Sequence, residues 1–291
     1  MRPETEILWV NGRLIPADEA CLDPRDRGYT LGDGLFETMR ARHGALPWVS
    51  HHLGRMRAGA AVLGLPLPAD DELESAIRQT LAVNDLSEAV VRLTVSRGIP
   101  TERGLLPEPE TKVSVVVHAL PFAGYPAELY ERGMCAITSS IRRNEGSPLA
   151  NIKSLSYLEN VLIRREAAER GADEALLLNI SGNLACASAA NLFLVLGDSL
   201  VTPDLASGAL PGTMRELVLG ELAPRAGLSL DERSVHPGEL ATVNEAFLTS
   251  ALLGVMPLTD VDGCQVGEGT PGPVARGLAS RLDHLWKGRR V

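Results

Sequence analysis

The chain has 291 residues, 45% of them hydrophobic, enough to bury the core of one large or two medium domains without disulfide or metal staples. Its 37 acidic residues against 28 basic give a net charge of −9, and the basic residues are scattered, so there is no electrostatic footprint for nucleic acid or an anionic membrane. Cys21, Cys135, Cys186 and Cys264 stand far apart with no CxxC pair, and the opening residues lack the basic start and apolar run of an export signal. With no apolar stretch near the ~18 residues of a membrane span, the expectation is a reduced, cytoplasmic protein.

Taken in order, Ile7 to Ile15 predicts a hairpin turned by Asn11-Gly12. Arg25 to Gly34 reads as a charged, glycine-rich loop leading into a strand from Leu35 to Arg42; its Gly-Asp-Gly lacks the spacing of a phosphate-binding GxGxxG. Leu53, Met56, Ala60 and Leu63 predict a helix over 51–63. Leu73, Ile77 and Leu81 predict another over 70–81, with Asp70 or Asp71 able to cap it. Ala89 to Arg97 alternates as a strand, Lys112 to Leu120 reads as a buried strand, and Gly98 to Pro109, with Arg103 and Gly104, is the loop between them. Pro121 to Pro126 breaks the pattern. This divides the chain into an α+β domain over 1–120, a linker over 121–131 and a mixed α/β domain over 132–291.

In the second domain, strands are expected near Met134 to Ile141, Glu174 to Ile180, Asn191 to Leu196, Leu200 to Thr202 and Glu245 to Ala251. Helices are expected from about Leu155 through Ala168, from Gly212 to Ala226 and from Pro273 to Trp286. The stretch Asn151-Ile152-Lys153-Ser154-Leu155-Ser156-Tyr157-Leu158-Glu159-Asn160 places a lysine where a loop or short strand leads into a helix. Partly desolvated there, Lys153 lowers its pKa from about 10.4 and becomes the nucleophilic amine of a Schiff base. The same residues equally suit a solvated lysine at a helix start. Arg55 offers a planar fork to phosphate, or is a surface arginine on its helix. Gly212 and Thr213 open a helix whose amides suit an anion, or form only an N-cap. The six histidines make no metal-ligand spacing, His51 and His52 read as structural, and no GxSxG elbow or P-loop occurs.

Five segments come in one order: Asp26-Arg27-Gly28-Tyr29-Thr30-Leu31-Gly32-Asp33-Gly34-Leu35-Phe36-Glu37-Thr38, then His51-His52-Leu53-Gly54-Arg55-Met56, the Lys153 stretch, Gly182 to Phe193, and Leu210-Pro211-Gly212-Thr213-Met214-Arg215. Together they resemble the fold type IV pyridoxal-phosphate enzymes, which include branched-chain and D-amino acid aminotransferases and aminodeoxychorismate lyase. The likeness runs from about Trp9 to Pro257. It implies a mixed α/β (α+β) two-domain architecture like that of D-amino acid aminotransferase, with pyridoxal 5′-phosphate as cofactor. It also implies a small amino substrate and a homodimer whose site lies between the domains and is completed by the partner chain. By the same resemblance Lys153 is the Schiff-base lysine and the base for the substrate proton. Arg55, Gly212, Thr213, Ser250 and Ala251 bind the cofactor. Arg40 and Arg97 suit a substrate carboxylate, or equally ordinary ion pairs.

Cys186 departs from the pattern, standing where the family places a glutamate against the pyridine nitrogen. A thiol with a reference pKa near 8.5 is mostly neutral and leaves the ring a weaker electron sink. That disfavours transamination more than an elimination in which a leaving group takes the electrons. Ala251 stands where many aminotransferases of the family have a threonine, and Ala189 to Phe193 and Ser250 to Pro257 look closest to aminodeoxychorismate lyase. The expected activity is conversion of 4-amino-4-deoxychorismate to 4-aminobenzoate and pyruvate, a step of folate biosynthesis. Two alternatives stay open: a class IV aminotransferase for D- or branched-chain amino acids, and a non-catalytic homologue that lost its cofactor chemistry at Cys186.

Overall fold

Ile7–Val10 (β1) and Arg13–Pro16 (β2) pair antiparallel across Asn11 and Gly12, the hairpin expected from that dipeptide. The computed structural model describes residues 6–102, 104–108 and 111–288; residues 1–5 of the opening segment, and Arg103 and Pro109 of the expected 98–109 loop, lie outside these. Among the described residues no helix is long and apolar enough to cross a membrane. By its contacts the chain forms two units. One holds the chain up to Ala123 together with Ile152–Ser156; the other holds Gly124–Asn151 and Tyr157–Gly288.

The first unit continues through a short helix, Arg27–Leu31 (α1), then Gly34–Ala41 (β3), Val49–Leu63 (α2), Asp70–Val83 (α3), Ala89–Ser96 (β4) and Ser114–Pro121 (β5). Its sheet is antiparallel in the order β2-β1-β5-β4-β3. One face, with Leu35, Met39, Val91, Leu93 and Val117, packs on Leu53, Met56, Leu73 and Ile77 of α2 and α3. β5 differs from expectation: it alternates buried and half-buried residues, because only one face of this sheet is covered by helices. The glycine-rich loop is also more ordered than expected. Asp26 accepts from the Gly28 amide to start α1, and Asp33 accepts from both Arg27 and Arg97, each at 2.8 Å.

Ile152–Ser156 joins this unit rather than the C-terminal domain in which the sequence reading placed it. Phe36 donates its amide to the Lys153 carbonyl and Leu155 donates to the Gly34 carbonyl, both at 2.9 Å, so the segment pairs with the outer edge of β3. Gly34 permits this approach: a Cβ there would sit 2.5 Å from the Val95 carbonyl oxygen and 2.8 Å from Leu155 Cδ1.

The second unit comprises Ala127–Arg132 (α4), Met134–Thr138 (β6), Leu158–Glu169 (α5), Glu174–Leu178 (β7), Leu184–Ala187 (β8), Asn191–Leu196 (β9), Ser199–Pro203 (β10), Thr213–Leu217 (α6), Ala223–Arg225 (α7), Ser229–Arg233 (β11), Glu245–Ser250 (β12), Gly254–Val261 (β13), Cys264–Gln265 (β14) and Pro273–Gly288 (α8). Its mixed sheet runs β11-β10-β9-β12-β13-β6-β7-β8, with β14 on β13; β10–β11, β13–β6 and β6–β7 are the parallel pairs. Phe193 and Phe247 face each other in register and stack at 5.1 Å within its core. The expected Gly212 to Ala226 helix is one run interrupted by a π turn, Val218–Leu222. Pro224 lies just beyond and has no amide to give the usual bond four residues back.

Two expectations about helix faces are corrected. α5 starts at Leu158, because residues 153–155 are drawn into the β3 edge, and it buries Asn160, Ile163 and Ala167. The apolar residues whose spacing predicts this helix are largely exposed in the chain, with Leu158 at 69% and Val161 at 57%. α3 is capped by Ala69, not by Asp70 or Asp71; the cap residue has no polar side chain to bond the first amides, and Asp71 accepts from the Glu72 amide at 3.0 Å. Three acidic residues already fill that first turn, so an uncharged cap is the better addition. Ala69→Ser is expected to stabilise the protein by about 0.5–2 kcal/mol in chemical denaturation, with an unchanged denaturant slope.

Candidate active site

Alternation along β3 turns Glu37 inward between Leu35 and Met39, onto the helix-covered face. A carboxylate there must be paired. Arg55 and His52 of α2 meet it. Arg55 donates from Nε at 2.8 Å and from Nη2 at 2.5 Å, and His52 Nδ1 lies 2.7 Å from the second carboxylate oxygen. Burial pushes the Glu37 pKa up, but Arg55 and His52 together overcome it and hold the group at about 2. The carboxylate is thus ionised at neutral pH. His52 is held below its usual value, by burial first and despite Glu37, so its neutral ring donates from Nδ1 to Glu37.

Lys153 is half-buried, with Nζ 4.3 Å from the centroid of the Phe36 ring. The Arg92 guanidinium lies over the same ring at 3.7 Å. Burial lowers the lysine pKa most; Arg55 and Arg92 lower it further, Glu37 opposes them, and the amine settles at about 8 against an ordinary 10.5. At neutral pH roughly one such amine in ten is unprotonated, far more than for a solvated lysine. The solvated reading of Lys153 is therefore set aside. Arg40, one turn of the pleat along from Phe36 and Thr38, has its guanidinium 5.5 Å from the Phe122 centroid. Arg97 is committed to the fold: Nε donates to Asp33, Nη1 to the Gly64 carbonyl and Nη2 to the Leu63 carbonyl. With its whole fork occupied, it is withdrawn as a substrate-carboxylate ligand.

In the second unit Cys186 is buried on β8, and burial raises its pKa, opposed chiefly by Arg143. Its thiol is neutral. Arg143 donates from Nη1 to Glu159 at 2.8 Å, while its Nε is buried without a hydrogen-bond partner. Glu174, near the same thiol, accepts from Ser188 Oγ and from the Ala175 amide. Gly212 caps α6 and Thr213 is its first residue, so Thr213 itself is not the cap. A Cβ at Gly212 would lie 2.0 Å from Asn191 Oδ1 and force that side chain, which donates to the Leu210 carbonyl, to move. Ser250 ends β12 and its hydroxyl accepts from the Leu253 amide, with Ala251 following in the turn to β13.

Residues 34–261 match the family described as amino-transferase class IV. The chain belongs to the class IV aminotransferase family. This family depends on pyridoxal 5′-phosphate. The chain is 31% identical to the D-alanine aminotransferase of Bacillus licheniformis over 95% of its own length and 96% of that protein. It resembles the crystal structure of Escherichia coli branched-chain amino acid aminotransferase with a TM-score of 0.93 and 27% identity, covering 99% of this chain and 97% of the other. It is similar as well to 4-amino-4-deoxychorismate lyase from Pseudomonas aeruginosa, with a TM-score of 0.86, 33% identity, and 95% and 98% coverage.

Sequence reasoning missed Glu37, Phe36 and Arg92, and treated His52 as merely structural. A signal for Glu37 existed: a lone acid between Leu35 and Met39 on the apolar side of a strand. The buried lysine is itself destabilising, fully so below pH 8 and not at all above 10.5, where it is neutral in both folded and unfolded states. Lys153→Met is expected to raise the unfolding free energy at pH 7 by up to about 3 kcal/mol. Denaturation curves at several pH values should show this gain fading between pH 8 and 10.5.

Proposed function

We propose that this class IV enzyme is a lyase that converts 4-amino-4-deoxychorismate to 4-aminobenzoate and pyruvate. The observation that carries the reading is Cys186, a buried neutral thiol on β8 at the position where the family has a carboxylate. Each unit carries groups that suit part of the family cofactor. In the first, Lys153, an amine at about pKa 8, suits the aldehyde and Arg55 suits a phosphate; in the second, the Gly212 and Thr213 amides and the Ser250–Ala251 turn suit an anion. The Cys186 thiol supplies no negative charge to a ring nitrogen. Bound pyridoxal phosphate would supply an electrophilic carbon for the substrate amine and, to the extent that its ring nitrogen is protonated, a sink for electrons.

In this reading Lys153 Nζ takes the proton from the amine-bearing carbon of the substrate. The carbon–oxygen bond at the neighbouring carbon breaks, enolpyruvate departs with the electron pair and becomes pyruvate on gaining a proton, and the ring left behind is aromatic. No oxidant, reductant or water is consumed. Because the leaving group accepts the electrons, an uncharged Cys186 suits this course better than amino transfer. Arg92 and Arg40, cations on the face of the first unit's sheet that carries Phe36, replace Arg97 as the groups for a substrate carboxylate. The functional assembly in this reading is a homodimer.

The second reading, an aminotransferase for D- or branched-chain amino acids, is favoured by the 31% identity to D-alanine aminotransferase. The two separate on product. Purified protein with pyridoxal phosphate and 4-amino-4-deoxychorismate is expected to release pyruvate and 4-aminobenzoate in equal amounts, and Lys153→Ala to lose about a thousandfold in rate. Amino transfer from D-alanine or a branched-chain amino acid to an oxo acid, without pyruvate release from the chorismate derivative, would overturn the lyase reading. Failure to develop a Lys153-dependent visible band with pyridoxal phosphate would sink both. Cys186→Glu is expected to raise the share of amino transfer.

A further inference from the structure

Lys153 and Arg55, cofactor ligands in the proposed function on which this rests, share Glu37 as a neighbouring negative charge. Glu37 is fully buried, yet its two oxygens take three bonds, two from Arg55 and one from His52. Such a carboxylate is costly to bury, and apolar residues of the same volume would fill a strand-to-helix core as well. Its neighbours point to a further role. Arg55 is oriented through a planar, two-point contact, which fixes the guanidinium plane as a single contact would not. Lys153 feels Arg55 and Arg92 as positive charges and Glu37 as the negative one, while His52 is neutral.

We propose that Glu37 is a positioning residue: its carboxylate fixes the plane of the Arg55 guanidinium and offsets the positive charge that Arg55 and Arg92 exert on the Lys153 amine. Without it the amine would keep both neighbouring arginines and lose the negative charge that opposes them. Arg55 would lose the two-point contact that sets its plane before an anion arrives.

The test separates charge from shape. In the cofactor-free protein, the pH dependence of Lys153 acylation by acetic anhydride, followed by peptide mass spectrometry, gives the midpoint of the amine. In Glu37→Gln the midpoint is expected to fall by about one pH unit, because a neighbouring negative charge is gone. Glu37→Gln combined with Arg55→Gln is expected to bring it back to near the wild-type value, since the paired positive charge is then gone too. A merely structural Glu37 would not give opposite shifts. Glu37→Asp keeps the charge but shortens the reach; it is expected to hold the midpoint while weakening pyridoxal phosphate binding about tenfold. If Glu37→Gln does not fold, Glu37→Asp carries the decision alone. An unmoved midpoint in Glu37→Gln, or unchanged midpoint and cofactor affinity in Glu37→Asp, would overturn the proposal. If the wild-type protein gives no Lys153-dependent visible band with pyridoxal phosphate, the cofactor reading fails, and the acylation midpoints still report on Glu37.

Discussion

Two backbone hydrogen bonds, from Phe36 to the Lys153 carbonyl and from Leu155 to the Gly34 carbonyl, decide where the lysine stands. An edge strand offers unpaired amides and carbonyls, and here a segment from far along the chain satisfies them instead of water or another molecule. Strand alternation does the rest. It sends Phe36 to one face of β3 and Glu37 to the other, so the lysine stands next to an aromatic ring and within electrostatic reach of a buried carboxylate. Gly34 is required because a Cβ there would collide with Leu155 of this segment on one side and with the Val95 carbonyl of β4 on the other.

The charges of the first unit are organised around two acids. Asp33 gathers Arg27 and Arg97, tying the glycine-rich loop to the end of β4, and these arginines also hold the Gly104, Leu105, Leu63 and Gly64 carbonyls. Glu37 gathers Arg55 and His52. The first cluster is saturated by the fold, which removes Arg97 from substrate chemistry. The second lies within electrostatic reach of an amine whose protonation it influences, which is why the same residue types a few positions apart have different consequences. In the second unit burial keeps Cys186 neutral against the pull of Arg143, which also donates to Glu159.

Much of the fold was legible because periodicity was clear. The Asn11-Gly12 hairpin, the β3 and β4 alternation, and the apolar faces of α2 and α3 follow from residue spacing. Short elements were not legible. β8, four small or apolar residues, is held by its pairing with β7 and by the Leu184 amide donating to the Val235 carbonyl, and β11 is a half-exposed run whose ladder to β10 is not encoded locally. α1 lay hidden in a glycine-rich stretch that reads as a loop until Asp26 is seen to cap it. The stripe of α5 misled because hydrophobic spacing gives a face without saying what covers it.

The order of five segments points to the family and singles out Lys153, Arg55, Cys186 and the Gly212–Thr213 turn, since residue type and spacing along the chain survive without coordinates. Tertiary structure alone decided that Lys153 is an amine near pKa 8, that Glu37 and Arg92 act on it, and that Arg97 does not belong with them. The reason is physical. Desolvation, Coulomb interaction and the occupancy of a guanidinium fork depend on distances between residues remote in sequence, and local pattern carries no information about those distances.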